Sequence, residues 1–253
     1  MLSLKKRPQK ISEVIGQEMV VKYVKKKSID RKFPSYMYFN GPTGTGKNTV
    51  AYIISKLILC ENPIKNSEGY YDPCDACKSC KAISNGKLNV GTFTLINCAT
   101  TRTGDVKGRV QTLYEHIDIM YDKRITLLDE FQDATGGGKL QTLLCSAFER
   151  SRENDYVILS TLNNTSIKKS LRDRCTTFNF SKVSDLKLAN HLSETMKQIQ
   201  VQVPTGCSEE QLVKNFLLIA KYADGSVRCA LEGLSKCIEL NAWTEEEIHD
   251  SLK

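Results

Sequence analysis

The sequence predicts an α/β fold: a parallel sheet covered by helices, followed by a small all-α domain. Three observations point there. Through the first two thirds of the chain, short β-like apolar runs alternate with longer amphipathic ones, the pattern of strands joined by helices. The string Gly41-Pro42-Thr43-Gly44-Thr45-Gly46-Lys47 falls where a short apolar run gives way to helical spacing. After Phe180 only helical periodicity remains.

Taken in order, residues 36–39 read as a strand that ends at the glycine loop. Residues 49–59 place Val50, Ile53, Ile54, Leu57 and Ile58 on one helical face. Residues 92–96 read as a strand, 106–119 as a helix, and 125–128 as a strand ending in Asp129-Glu130. A helix over 140–148 and strands over 156–160 and 176–180 follow. Residues 182–200, 208–222 and 226–239 all carry helical spacing. Ser208 and Thr244 each precede a run of glutamates, a capping hydroxyl followed by acids at the helix's positive end. The expected domains are residues 1–180 and 181–253.

At 253 residues and 40% apolar, the chain can build one large core or two modest ones. No apolar run reaches the roughly 18 residues of a membrane helix. Residues 1–7 lack a secretory signal, so a cytoplasmic protein without a membrane partner is expected. The net charge of +7 tolerates a polyanionic partner without requiring one. Of ten cysteines, three are compactly spaced at Cys74, Cys77 and Cys80; others, such as Cys145, Cys175 and Cys237, sit among apolar residues. This reads as a reduced protein with one metal cluster and several buried thiols.

The glycines at 41, 44 and 46 let backbone N–H groups turn inward as a nest for anionic oxygens. Lys47 supplies a point charge for β and γ phosphates, and the following helix aims its N-terminus at them. In such a site the first acid of the pair, Asp129, holds Mg²⁺ and the second, Glu130, polarises the attacking water. Alone, the loop reads equally as an ordinary turn and the acids as a solvated strand end; together, in this context, they read as a nucleotide site. Cys60, Cys74, Cys77 and Cys80 offer the four thiolates that tetrahedral Zn²⁺ takes. An iron–sulfur run of the bacterial ferredoxin type would need a fourth cysteine followed by proline, which is absent. Unligated thiols are the third reading, although Gly69, Asp72 and Pro73 mark an exposed loop. The module's role is expected to be structural, and its loss to leave nucleotide binding largely intact.

Five segments, in this order, carry a resemblance to a known family: KKRPQKISEVIGQ, GPTGTGK, LLDE, ILSTLNNTSIKKSLRDRC and GSVRCAL, with the cysteine module after the first loop helix. The chain resembles the AAA+ ATPase and lid domains of bacterial-type sliding-clamp loaders, the DNA polymerase III gamma/tau family with delta prime as a close relative. The resemblance spans nearly the whole chain. It implies that Val14 and Ile15 border the adenine, and that Gly41, Pro42, Thr43, Gly44, Thr45, Gly46, Lys47, Asn48 and Thr49 surround the phosphates. It implies Asp129 as Mg²⁺ ligand, Glu130 as base, Thr161 at the sensor 1 position orienting water or the γ phosphate, and Arg228 reaching that phosphate from the lid. Arg174 falls at the arginine-finger position and would serve a neighbour's nucleotide.

The chain departs from the family pattern at several points. Asn48 stands where a Mg²⁺-binding hydroxyl belongs, and Thr49 comes one residue late. Asp173 replaces the serine before the finger and is expected to pair with Arg172 or Arg174. Cys229 replaces an acid, and Gly136-Gly137-Gly138 lies where the family has an ordered helix start. The family's third, collar domain has no counterpart in these residues. The implied function is an ATPase subunit of a clamp loader, binding ATP, Mg²⁺ and Zn²⁺, acting in a hetero- or homo-oligomeric ring on a sliding clamp and primer–template DNA. Slow hydrolysis is expected from Asn48. The alternative is a non-hydrolysing, delta-prime-like subunit that supplies the finger. The basic stretch 21–32 either faces DNA phosphates or is a solvated helix face.

Overall fold

A computed structural model describes residues 1–84, 92–115, 122–134, 139–150, 154–162, 167–201 and 208–253. The end of the 106–119 helix and the Gly136-Gly137-Gly138 run lie outside the described residues. A short helix α1 (Leu2–Lys5) and helix α2 (Glu18–Asp30) precede strand β1 (Tyr36–Asn40) and helix α3 (Lys47–Leu59). A small module follows: the antiparallel pair β2 (Ile64–Lys65) and β3 (Tyr71–Asp72), then α4 (Lys78–Ser84). The main sheet continues with β4 (Phe93–Asn97), α5 (Thr103–Glu115), β5 (Arg124–Asp129), α6 (Lys139–Arg150), β6 (Asp155–Thr161), α7 (Lys169–Arg172) and β7 (Thr176–Asn179). Helices α8 (Asp185–Ile199), α9 (Glu209–Tyr222), α10 (Val227–Leu240) and α11 (Glu245–Leu252) complete the chain.

The five strands lie in the order β4-β5-β6-β1-β7, and every neighbouring pair is parallel. Period-2 alternation sends their side chains into two cores. Met37, Phe39, Ile125, Leu127 and Ile158 pack with Ile53, Ile54 and Leu57 of α3 on one face. Tyr38, Leu128, Val157 and Leu159 pack with Val106, Leu140 and Leu144 on the other. Strand β1 leads away to β4 at one edge while its neighbour β6 leads to β7 at the other, and the crevice at the carboxyl ends of such a switch point is where open α/β sheets bind ligands.

Helix α3 begins at Lys47, two residues before the expected start, because Gly46 takes φ 100° and closes the loop into the first turn. Its far end is capped by Arg31, whose guanidinium donates to the carbonyls of Leu57, Ile58 and Cys60 at 3.0, 3.3 and 2.6 Å. In the all-α part, Ser208 and Thr244 cap α9 and α11, the latter in a reciprocal capping box with Glu247. Leu188, Leu192, Phe216, Leu234 and Ile248 form a third core there.

Candidate nucleotide and metal sites

Residues 41–46 carry the chain from the end of β1 into α3. Gly41 passes so close to Phe180 that a Cβ there would lie 2.2 Å from its carbonyl oxygen. Gly44, at φ 77°, meets the all-α part directly: the N–H of Val227 donates to its carbonyl at 3.0 Å. A Cβ on Gly44 would fall 1.9 Å from Oγ of Ser226, the residue that caps α10. So the loop and the helical part are joined by a backbone hydrogen bond.

Around this junction lies a cleft of about 280 Å³. The loop from Thr43 to Thr49 lines it, together with Asp129 and Glu130. Val14 and Ile15 line it together with Arg7 and Pro8, and His191 and Arg228 reach it from α8 and α10. Val14 packs on the core of the sheet and Ile15 on the core of the helical part, so this dipeptide straddles the two.

Lys47 is buried, and its Nζ donates to the carbonyls of Gly41 and Pro42 at 2.7 and 2.9 Å. Burial pulls its pKa down, Glu130 and Asp129 push it back up, and Arg228 adds to the lowering. Nδ2 of Asn48 donates to Oδ2 of Asp129 at 2.6 Å, while Oδ1 of Asp129 accepts from the N–H of Glu130 at 3.0 Å. Oδ1 of Asn48 is buried and has no hydrogen-bond partner among the described residues. An unpartnered amide oxygen beside a carboxylate is a donor set that suits a hard divalent cation, so these residues fit Mg²⁺. Glu130 sits at φ 50°, a left-handed backbone that a glutamate rarely adopts. Its Oε2 accepts from Gln132 at 2.5 Å, and Gln132 in turn accepts from the N–H of Leu162 at 3.2 Å.

Four expected site residues lie apart from the cleft wall. The hydroxyl of Thr161 is fully buried and shares a 2.9 Å hydrogen bond with Tyr38. Pro42 and Gly41 contribute carbonyls to Lys47 and not surface to the cleft. Arg174 lies on the surface near α6, donating to Glu149 at 2.6 Å and to the carbonyl of Ser170 at 2.9 Å. The expected ion pair with Asp173 gives way to Glu149, which the turn after α7 brings within reach.

Other residues were not singled out by sequence pattern. Gln17 is buried and ties three segments together: its amide donates to the carbonyls of Thr45 and Ser181 and accepts from the N–H of Ser181. Arg7 lines the cleft with its guanidinium 5.1 Å from the Tyr52 ring. Neither carries a periodic signal, and their partners lie far along the chain.

The thiols of Cys60, Cys74, Cys77 and Cys80 all lie within 4.8 Å of one another. Backbone N–H groups of Cys74, Cys77 and Cys80 point at the sulfurs of Cys60, Cys74 and Cys77, at 3.4, 3.2 and 3.5 Å. Burial opposes ionisation of Cys74, but the N–H groups of Cys77 and Ala76 and the neighbouring thiols outweigh it and lower its pKa to about 6. Four converging thiols with such donors behind them fit a tetrahedral zinc ion.

A phosphate-type loop after strand β1 of a parallel sheet, an acid pair at the end of β5 one strand beyond its neighbour β6, and a helical domain docked over the loop define an AAA+ fold with an all-α lid. The chain belongs to the DNA polymerase III clamp-loader family: residues 16–184 match the family model described as DNA polymerase III, delta subunit. It is 27% identical over 93% of its length to DNA polymerase III subunit tau of Bacillus subtilis, and 27% over 96% to subunit gamma/tau of Mycoplasma genitalium. It spans 39% and 37% of those two relatives. The subunit gamma of Buchnera aphidicola from Acyrthosiphon pisum is 27% identical over 94% of this chain and 62% of that protein. Among solved structures, the RuvB Holliday junction branch migration motor of Thermotoga maritima matches 97% of this chain and 72% of that one, at a TM-score of 0.65 and 16% identity. That likeness is one of fold.

Proposed function

We propose that this chain is an ATP-binding subunit of a sliding-clamp loader, and that it hydrolyses ATP slowly. The observation that carries the reading is the single cleft that gathers the glycine loop, Asp129, Glu130 and Arg228, closed by the Val227–Gly44 hydrogen bond. The loop N–H groups and the α3 N-terminus would hold the phosphates, and Lys47 would turn from its carbonyls to them. Val14 and Ile15 would border the base. Glu130, released from Gln132, would take a proton from the attacking water. Arg228 would reach the γ phosphate from the lid. Thr161, bonded to Tyr38, would orient the attacking water or the γ phosphate from the sensor 1 position.

Asn48 and Asp129 would hold Mg²⁺. Bound there, the ion neutralises charge developing on the phosphates. Asn48 performs through two atoms what a hydroxyl does through one: Nδ2 donates to Asp129 while Oδ1 remains to ligate. The amide is longer than a hydroxyl, so Asn48 would hold the ion less well placed and the reaction would be slower.

In an assembly, Arg174 would leave Glu149 for the nucleotide of a neighbouring subunit. The partners are further clamp-loader subunits, a sliding clamp and primer–template DNA. A second reading, a non-hydrolysing subunit that supplies only the finger, is favoured by Asn48 and by the delta-subunit description of the matching family. An ATPase assay of the purified chain, with and without primed DNA, clamp and partner subunits, separates the two. Turnover that rises on assembly supports the first. ATP binding with no turnover under any of these conditions supports the second.

A further inference from the structure

The cysteine module does not stand apart from the cleft. Asp75, between Cys74 and Cys77, turns through φ 51° and places its carboxylate 2.7 Å from Nζ of Lys56 on α3. That lysine side chain is only 2% exposed. Its Nζ also donates to Oε1 of Gln9 at 2.5 Å, and Ser84, at the end of α4, donates to the same oxygen at 3.2 Å. Gln9 then holds the N-terminal arm: its Nε2 donates to the carbonyl of Arg7 at 2.8 Å. A second tie runs from Asp72, whose Oδ1 accepts from the buried N–H of Ile11 at 3.2 Å. The arm so held, residues 7–15, supplies the Arg7, Pro8, Val14 and Ile15 wall of the cleft.

We infer that the cysteine module is a clasp for the nucleotide cleft, seating the N-terminal arm through Asp75, Lys56 and Gln9. The inference rests on the nucleotide-binding reading above. Two features give the route its force. A buried ammonium needs both its acceptors, so Lys56 cannot stay in place if Asp75 moves away. Asp75 lies inside the Cys74–Cys77 turn, so its position follows the closure of the four thiols. With the thiols closed on zinc, the arm is held before nucleotide arrives. With them open, the arm must be ordered at the cost of binding energy. On this reading, loss of the module weakens nucleotide binding, where the motif pattern leads to the expectation of binding left largely intact.

The test measures ATP affinity by calorimetry, in the presence of Mg²⁺, for the full chain and three variants: Cys77→Ser, Asp75→Asn and the two combined. Asp75→Asn keeps the side-chain size, tolerates the left-handed backbone, keeps the backbone N–H that faces the Cys80 thiol and leaves the metal ligands intact. If the open form seats the arm in about a tenth of molecules, apparent affinity falls about tenfold. Cys77→Ser is expected to lose zinc by metal analysis and to weaken ATP binding by that factor. Asp75→Asn is expected to keep zinc and weaken binding similarly, and the double variant to be no worse than Cys77→Ser, because both act through one route. Asp75→Asn that keeps zinc and binds ATP like the parent overturns the inference, as does a double variant whose losses multiply. A parent chain that binds no ATP at all instead removes the nucleotide-site reading on which it stands.

Discussion

At position 48 a hydroxyl would donate to Asp129 and offer its lone pairs from the same atom. Asparagine spreads these over Nδ2 and the unpartnered Oδ1. Nucleotide binding draws mainly on backbone N–H groups and Lys47, neither of which needs the hydroxyl. Asn48→Thr should therefore change ATP affinity little while raising turnover by about tenfold to a hundredfold, the range lost when a reacting group is misplaced by about an ångström. Calorimetry and steady-state ATPase assays read the two effects separately. A parent already as fast as the threonine variant would show that the amide replaces the hydroxyl fully. Gln17 makes a different residue-level case. Gln17→Leu strands the carbonyl of Thr45 and both backbone groups of Ser181, and should cost about 2 kcal/mol in denaturant unfolding. A change below a few tenths of that would mean water takes over these bonds.

Among the elements, the strands were the easiest to read. The inner ones are runs such as Tyr36–Asn40 or Asp155–Thr161, buried on both faces because helices cover both, while the edge strand Thr176–Asn179 buries only Phe178. The hairpin of two-residue strands in the cysteine module, β2 with β3, left no such trace, being too short for any period. Nor did α1, which lies apart from the sheet. The four cysteines were legible from spacing alone, and the loop and acid pair from composition in context. What pattern could not supply were polar ties between distant segments: Leu162 to Gln132, Arg174 to Glu149, Lys56 to Gln9. Such bonds depend on where the fold brings side chains, not on sequence period. At this scale we expect one zinc per chain, and its chelation to lower the melting temperature and release the module first, as read by metal analysis and by hydrogen exchange over residues 60–84. Iron, or a metal-free preparation of equal stability, would remove the zinc assignment. Gly44→Ala should disrupt the joint between loop and lid, since the new Cβ has no room beside Ser226 and the backbone is left-handed. ATP affinity should drop at least about tenfold, by the loss of a preformed loop; unchanged affinity would show that the joint is not needed for binding.

For the whole molecule, Arg174 faces away from the cleft of its own chain and is held by Glu149. Arg174→Ala should leave ATP binding by the isolated chain nearly unchanged, and lower ATPase activity of an assembled complex by up to about 10³-fold, the weight of a typical finger. If a monomeric preparation hydrolyses ATP well and the variant loses that activity, the arginine acts within its own chain. The bond between Val227 and Gly44 bears on how such an assembly would move. It fixes one point of the lid to the very turn that would hold the phosphates, so the lid has a pivot and not merely a resting place. A displacement of a fraction of an ångström at that pivot is magnified along the length of α10, whose far end lies thirteen residues from Val227. Whatever sits against the outer end of the lid would then sense the state of the phosphates as a swing, with the helix as its lever arm.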